Sequence, residues 1–510
     1  MDDKIIVTNR GALTRKYGAK GLAAIRKALS GLIAEDKKRG IKTAVLYLDD
    51  GPAMKKLGAK PVSSPTAIRE TKNAIDKIYA SLQPDYLLIL GAPDVVPHQD
   101  LNNPAFGAGD DDNRAWGDVP YACDVPYSRD PAHFVGPTRV VGRLPDLVGA
   151  NEPSYLVGLI GKTAKWQSRP ASDYTKYFGL SAEVWKGSTQ LSLENIFGHA
   201  EQMLLSPKSG PKYLSGELGA RMHFINCHGA LAAPEFYGQS GTNFPVSLTT
   251  PGTKDSILDG TVAAVECCYG GELYDSVTLS LAIPICQSYL QQGAYAYLGS
   301  TTIAYGPADD NGAADLICQF FLLNLLEGSS TGRAALVARQ QFVERNAQMD
   351  PIDLKTLAQF CLYGDPSVHP VAQQVQPGLP KGVAADNAER FFRSERRAKL
   401  KLTGEFLQKT KPTASKQQVS RKMPANVKTT LANIARNGGL PAGQKFTAFK
   451  VKGSKTPKGG AAKLATAPSR YYVAVGCGGR TSDSPICPNV AVVAKEVADR
   501  IIGYRIYHAR

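Results

Sequence analysis

Two short stretches carry residues able to do chemistry. Met222–Gly229 reads Met-His-Phe-Ile-Asn-Cys-His-Gly, and Thr261–Gly271 reads Thr-Val-Ala-Ala-Val-Glu-Cys-Cys-Tyr-Gly-Gly. Each is an apolar run of strand length that ends, next to glycine, on a reactive side chain. The first delivers His228 before Gly229; the second delivers Cys267, with Cys268 beside it. An imidazole and a thiol brought together form a nucleophile–base pair, and the backbone N–H groups near Gly229 and Cys267 are then available to hold an oxyanion. The plain alternatives are a core histidine and an inert buried thiol. Zinc is a poorer fit to Cys227, His228, Cys267 and Cys268, because adjacent residues on extended backbone face opposite ways. The same alternation turns Cys267 and Cys268, the rival nucleophile, to opposite faces.

These residues do chemistry together only if adjacent strands deliver them to one crevice, as happens at the carboxyl ends of an open parallel sheet. The flanking chain alternates helix and strand periods. Residues 20–40 carry helical spacing (Leu22, Ile25, Leu29, Leu32, Ile33), 42–48 read as a strand, 68–82 as an amphipathic helix and 86–90 as a strand. Such alternation predicts parallel strands joined by right-handed crossovers. Residues 97–131 are rich in Gly, Asp and Pro and lack periodicity, the mark of a functional loop. Further on, 139–142 is a strand, 154–166 a helix, 177–182 a strand, 191–205 a helix, 279–292 a helix, 294–298 a strand, and 312–326 and 331–346 are helices.

The ordered set of motifs resembles the clan of caspase/gingipain-like cysteine peptidases, which includes legumain and separase. Cys267 with Gly270 has the Cys-x-x-Gly form of legumain, separase and gingipains, whereas Cys268 with Gly270 has the Cys-x-Gly form of caspases. The flanks are similar to the gingipain branch: Tyr86–Leu90 followed by Gly91-Ala-Pro-Asp94, Arg139-Val-Val-Gly-Arg-Leu-Pro145, Gly293–Ser300, and Leu362-Tyr-Gly-Asp-Pro-Ser367. The resemblance spans roughly residues 20–372. It implies an α/β fold with a caspase-like, parallel-dominated sheet covered by helices on both faces. It also implies a cysteine endopeptidase in which His228 and Cys267 form a dyad and Gly229 and Cys267 supply the oxyanion donors. Gingipain-like enzymes that cut after basic residues place an acid before the Val-Gly-Arg strand and an aromatic wall after the Gly-Ser strand end. Here that implies Asp130 or Asp124 for the acid and Tyr305 for the wall, with cleavage after Arg or Lys.

Composition divides the chain. The 510 residues carry a net charge of +15, yet residues 381–510 hold 26 Lys+Arg against 7 Asp+Glu, +19, leaving −4 for the rest. The expected division is an N-terminal α/β half-domain over 1–170, a catalytic domain over 171–375, and a basic arm with a small α/β module over 376–510. Within the last, 387–402 reads as a basic helix, and 407–465 is poor in large apolar residues. Such an arm suits an acidic protein or nucleic-acid partner, or self-processing of a zymogen. Nine cysteines, mostly inside apolar strands or helices, point to reduced thiols and a cytoplasmic setting. The most apolar segment, 316–326, is too short to span a membrane. No cofactor is expected, although Asp110-Asp111-Asp112 offers carboxylates of the kind calcium takes. An inactive caspase-like scaffold and a polyanion-binding effector are the alternatives to a peptidase.

Overall fold

The computed structural model describes residues 2–372, 385–416, 423–452, 469–477, 485, 486 and 488–510, with side chains described from 394 onward in the second stretch. Ten strands form one sheet: β1 (Lys4–Thr8), β2 (Thr43–Tyr47), β3 (Tyr86–Leu90), β4 (Val141–Leu144), β5 (Tyr177–Ala182), β6 (Met203–Ser206), β7 (Met222–Asn226), β8 (Val262–Val265), β9 (Ala296–Ser300) and β10 (Phe360–Tyr363). Their spatial order is β2-β1-β3-β4-β10-β9-β8-β7-β5-β6. Only the β9–β10 pairing is antiparallel; every other neighbouring pair is parallel. The sheet is thus two parallel halves running in opposite directions. Each half reverses its strand order beside its first strand, at β1 and at β5.

Both faces are covered, so the strands read as apolar runs rather than alternating ones. Ala263 and Val265 of β8 face one core with Tyr289 and Leu290. Val262 and Ala264 face the other, with Phe321 and Leu322. Helices α1 (Arg10–Lys38), α2 (Ile68–Leu82), α3 (Ser154–Ala164), α4 (Lys186–Phe197), α5 (Ile285–Gln292), α6 (Ala314–Leu326) and α7 (Thr331–Arg345) connect and cover the strands. Helix α1 starts earlier than its apolar spacing indicates, because the Asn9 side chain caps it at Ala12 N and a kink at Gly18 (φ 66°) offsets the first turns. Helix α4 stops at Gly198, in the left-handed region, and the end of the 191–205 stretch becomes β6.

Strand β1 is buried throughout although it begins on a lysine. Lys4 Nζ lies fully buried, 2.6 Å from Asp36 and 2.7 Å from Asp365. The Gly-Asp-Pro turn after β10 is thereby fastened to the first strand. A second buried network surrounds Arg143 of β4, which bonds both oxygens of Asp118 at 2.6 and 2.8 Å and the carbonyls of Gly91 and Val96 at 2.7 Å each. Arg143→Met therefore leaves Asp118 as an uncompensated buried charge, and a loss of about 3–5 kcal/mol in urea unfolding is expected. A loss below about 1 kcal/mol would mean that water or a rearranged partner replaces the guanidinium.

The C-terminal region forms a separate antiparallel sheet of β11 (Thr413–Lys416), β12 (Thr447–Lys452), β13 (Ser469–Cys477), β14 (Asn489–Val497) and β15 (Arg500–Ala509). In space they run β11-β12-β13-β14-β15, and beyond β15 the sheet is completed by a two-residue strand from the body, Tyr305–Gly306. One face carries a helix, Ala425–Asn437, and the other packs on the body through Val473, Val475 and Tyr507. The basic helix runs from Ala385 to Thr410. It lies against the body, with Leu407 buried, Gln408 accepting from Gly136 N, and the Leu400 carbonyl accepting from Gln340. Of the sparse stretch 407–465, residues 417–422 and 453–465 lie outside the described residues.

Candidate active site

Strands β7 and β8 are paired in register, so His228-Gly229 and Cys267-Cys268 emerge at the same edge of the sheet, beside the strand-order reversal at β5. His228 is buried, with its ring between Trp185 (centroids 4.3 Å apart) and Phe244 (5.2 Å). Its Nε2 lies 2.6 Å from Gln239 Oε1, and Gln239 is itself oriented by donating to the Gly241 carbonyl at 2.9 Å. An amide oxygen only accepts, so Nε2 carries the proton and Nδ1 is left as the basic nitrogen. Burial pushes His228 down to about 3, so the ring is neutral across the ordinary pH range.

The two cysteines diverge. Cys267 faces the core with Cys227, Tyr289 and Tyr297. Cys268 faces the C-terminal sheet, its Sγ 3.3 Å from Ala304 N. Burial pushes both thiols up, Cys268 to about 12. Among the described residues, no hydrogen bond joins His228 to either thiol.

Between these groups lies Arg510. Its carbonyl oxygen accepts from Cys268 N at 2.9 Å and from Gly229 N at 3.3 Å, and its own N–H donates to the Ala304 carbonyl at 3.0 Å. The side chain is fully buried. One terminal nitrogen lies within hydrogen-bond distance of the Pro307 carbonyl (2.7 Å), Asp315 Oδ1 (3.1 Å) and Ser188 Oγ (3.2 Å). Nε lies 3.7 Å from Glu266 Oε2, and the guanidinium stacks 4.4 Å from the Trp185 ring centroid. Burial holds Glu266 well above the ordinary carboxylate range, and the neighbouring Asp315 raises it further. Burial raises Asp315 as well, against the pull of Arg510. The pair therefore keeps one proton, on Glu266, and presents one negative charge to one guanidinium. Beside the arginine an open cleft of about 330 Å³ is lined by Trp185, His228, Gln239, Phe244, Asn489 and His508.

The acids expected from the segment before the Val-Gly-Arg strand lie elsewhere. Asp124 pairs with Arg139 at 2.7 Å, and Asp130 caps a short turn at Ala132 N. Both are needed locally: one neutralises a buried guanidinium, the other satisfies a helix-start N–H. The carboxyl groups beside Arg510 are Glu266 and Asp315, and the ring stacked on it is Trp185. Tyr305 meets the segment through its backbone, paired with Ala509, while its ring hydroxyl donates to Asp110. Glu266 was legible in principle, since a residue two before Cys268 shares its side of an extended chain. So was Asp315, a lone acid opening the most apolar helix. Gln239 sits in a loop with no pattern to mark it.

Asp110 and Asp112, the carboxylates of the calcium reading, share the ammonium of Lys355 at 2.7 and 3.1 Å. His98, Asp118 and Cys361 bring one potential metal ligand each within 4.8 Å of one another. The Asp118 oxygens are already bonded to Arg143 and His98, and a guanidinium at that spot opposes a second cation. Eight cysteines in the described residues are free thiols, and no helix there is long and apolar enough to cross a membrane.

No protein-family model matches the sequence, and no curated protein matches it. Among solved structures, a chain named "Structure of Protease" aligns over 99% of this chain and 96% of its own length, at 14% identity and a TM-score of 0.46.

Proposed function

We propose that the protein is a cysteine endopeptidase that cuts after arginine. Cys268 is the nucleophile, His228 the proton carrier, and the N–H groups of Gly229 and Cys268 the oxyanion donors. The observation that carries this reading is one carbonyl oxygen accepting both N–H groups at strand ends that also bear an imidazole and a thiol. Two fixed donors aimed at a carbonyl oxygen stabilise the charge that develops on it during attack. The resting thiol and neutral imidazole exchange one proton: His228 Nδ1 takes it from Cys268 as the sulfur attacks the carbonyl carbon and forms a C–S bond. The C–N bond then breaks as the imidazolium gives that proton to the leaving amine, and water hydrolyses the thioester to free the acid and the thiol. Cys268 rather than Cys267 fits this geometry, because its N–H is the donor and its thiol lies beside Ala304, the residue that holds the Arg510 backbone. The Cys-x-Gly spacing to Gly270 then has the caspase form.

The acids beneath the guanidinium support basic specificity, and the two-sided pocket supports arginine over lysine. The test is a peptidyl-arginine chloromethyl ketone followed by peptide mapping. Alkylation is expected on Cys268, abolished in Cys268→Ala and slowed at least about tenfold in His228→Ala. Labelling of neither cysteine, with no cleavage of any arginyl peptide, would favour a binding scaffold. One observation supports that second reading: His228 touches neither thiol.

A further inference from the structure

Strand β15 does not stop at the C-terminal module. It continues as an extended chain across the ends of β7 and β8, pairing antiparallel with Tyr305–Gly306 through Ala509 and His508. Each backbone group of Arg510 that a bound peptide would use is engaged: N–H to Ala304 O, and the carbonyl oxygen to Cys268 N and Gly229 N. The side chain fills a pocket that matches its single charge and its planar shape. A guanidinium gathered in with no solvent exposure is costly to desolvate unless its surroundings are built for it. Here a carbonyl, a hydroxyl, the Asp315 carboxylate and an indole face meet it, and Nε and the other terminal nitrogen are buried beside Glu266, with no hydrogen bond among the described residues.

We propose that residues 508–510 are a resident occupant of the substrate groove, so that the protein holds its own site closed until they are displaced. The inference rests on the peptidase reading for the identity of the groove, and it adds what sits there. Peptides that enter must replace three features in register: an extended backbone on the Tyr305–Gly306 edge, a carbonyl at the two N–H donors, and an arginine over Glu266 and Asp315. Edge-strand addition of this kind takes its affinity from main-chain bonds and its selectivity from the side-chain pocket. Tethering makes the resident strand hard to beat. Its effective concentration is on the order of mM, against the μM levels at which a free peptide is supplied. Displacement needs only the end of β15 to peel away, because Ala509 and His508 are the residues of β15 paired with the body edge.

Arg510→Ala and Arg510→Gln test this in the full chain. Both are expected to raise kcat/KM on an arginyl fluorogenic peptide, and the rate of Cys268 alkylation by iodoacetamide, by about tenfold or more. Acetyl-Tyr-His-Ala-Arg added in trans should restore inhibition, and the same peptide ending in Glu should not. Faster alkylation without cleavage of any peptide would keep the occupancy and sink the peptidase reading. Folded variants whose alkylation and cleavage match the wild type would overturn the occupancy. Should neither variant fold, hydrogen exchange on the wild type decides. Saturating acetyl-Tyr-His-Ala-Arg should speed exchange of the 505–510 amides while Gly229 and Cys268 stay protected, and unchanged exchange of 505–510 with the peptide bound would overturn the proposal.

Discussion

Cys268→Ala is expected to lower kcat/KM on an arginyl peptide at least about 10³-fold, the scale seen when a nucleophile is removed and the surrounding donors remain. Cys267→Ala is expected to stay within about fivefold of the wild type, at a stability cost of roughly 1 kcal/mol for a small core truncation. The contrast follows from where the two thiols point. Alanine at 268 keeps the N–H that bonds the Arg510 carbonyl at 2.9 Å and removes only the sulfur, so the loss reports the thiol and not the oxyanion donors. Alanine at 267 removes a sulfur packed against Cys227 and Tyr289, away from Ala304 and Arg510. Because burial pushes Cys268 to about 12, the thiolate fraction of the occupied state should climb about tenfold per pH unit between pH 7 and 10, and iodoacetamide labelling with it. Full activity in Cys268→Ala with loss in Cys267→Ala would return the nucleophile to Cys267.

How much of this was legible in the sequence depends on whether the signal is local. The βα alternation predicts the parallel halves, and the glycine-bounded apolar runs predict the strands that carry His228 and the cysteine pair. Strand β1 is harder to see, because its first buried residue is a lysine whose partners, Asp36 and Asp365, are 32 and 361 positions away. The hairpin joining β14 to β15 turns on Ala498 and Asp499, both at positive φ (51° and 63°), a turn usually marked by Asn or Gly. Without that mark, nothing local separates the two strands. The surroundings of Arg510 are hidden for a different reason. Glu266, Asp315 and Trp185 come from three elements that meet only after the sheet is assembled, so order along the chain does not bring them together. Parity along an extended strand correctly separates Cys267 from Cys268, but it does not say which side faces the groove. That depends on the C-terminal sheet, whose packing against Tyr305 and Cys268 has no local signature.

The pocket acids give the second large effect, and it is asymmetric. In the Arg510→Ala background, Asp315→Asn is expected to cut kcat/KM on arginyl peptides by about 10²–10³-fold, whereas Glu266→Gln costs no more than about fivefold. The background matters, since weakening the pocket in the wild type loosens resident and substrate alike and the two effects cancel. The asymmetry comes from the proton the two carboxyls share. Glu266 is the member held protonated by burial and by its neighbour, so glutamine, neutral and able to donate, reproduces what is already there. Asp315 carries the charge that meets the guanidinium at 3.1 Å, and removing one side of a buried, hydrogen-bonded charge pair costs about 2–5 kcal/mol. Arginine should be preferred to lysine by at least about tenfold in the same background, because an ammonium loses the stack on Trp185 and cannot span Pro307 O and both carboxyls at once. Trp185→Leu should shrink that preference while leaving the preference for a basic over a neutral residue, since the acids remain. Equal losses in the Asp315 and Glu266 variants would mean that both carboxylates are ionised. No loss in either would place the specificity outside this pocket.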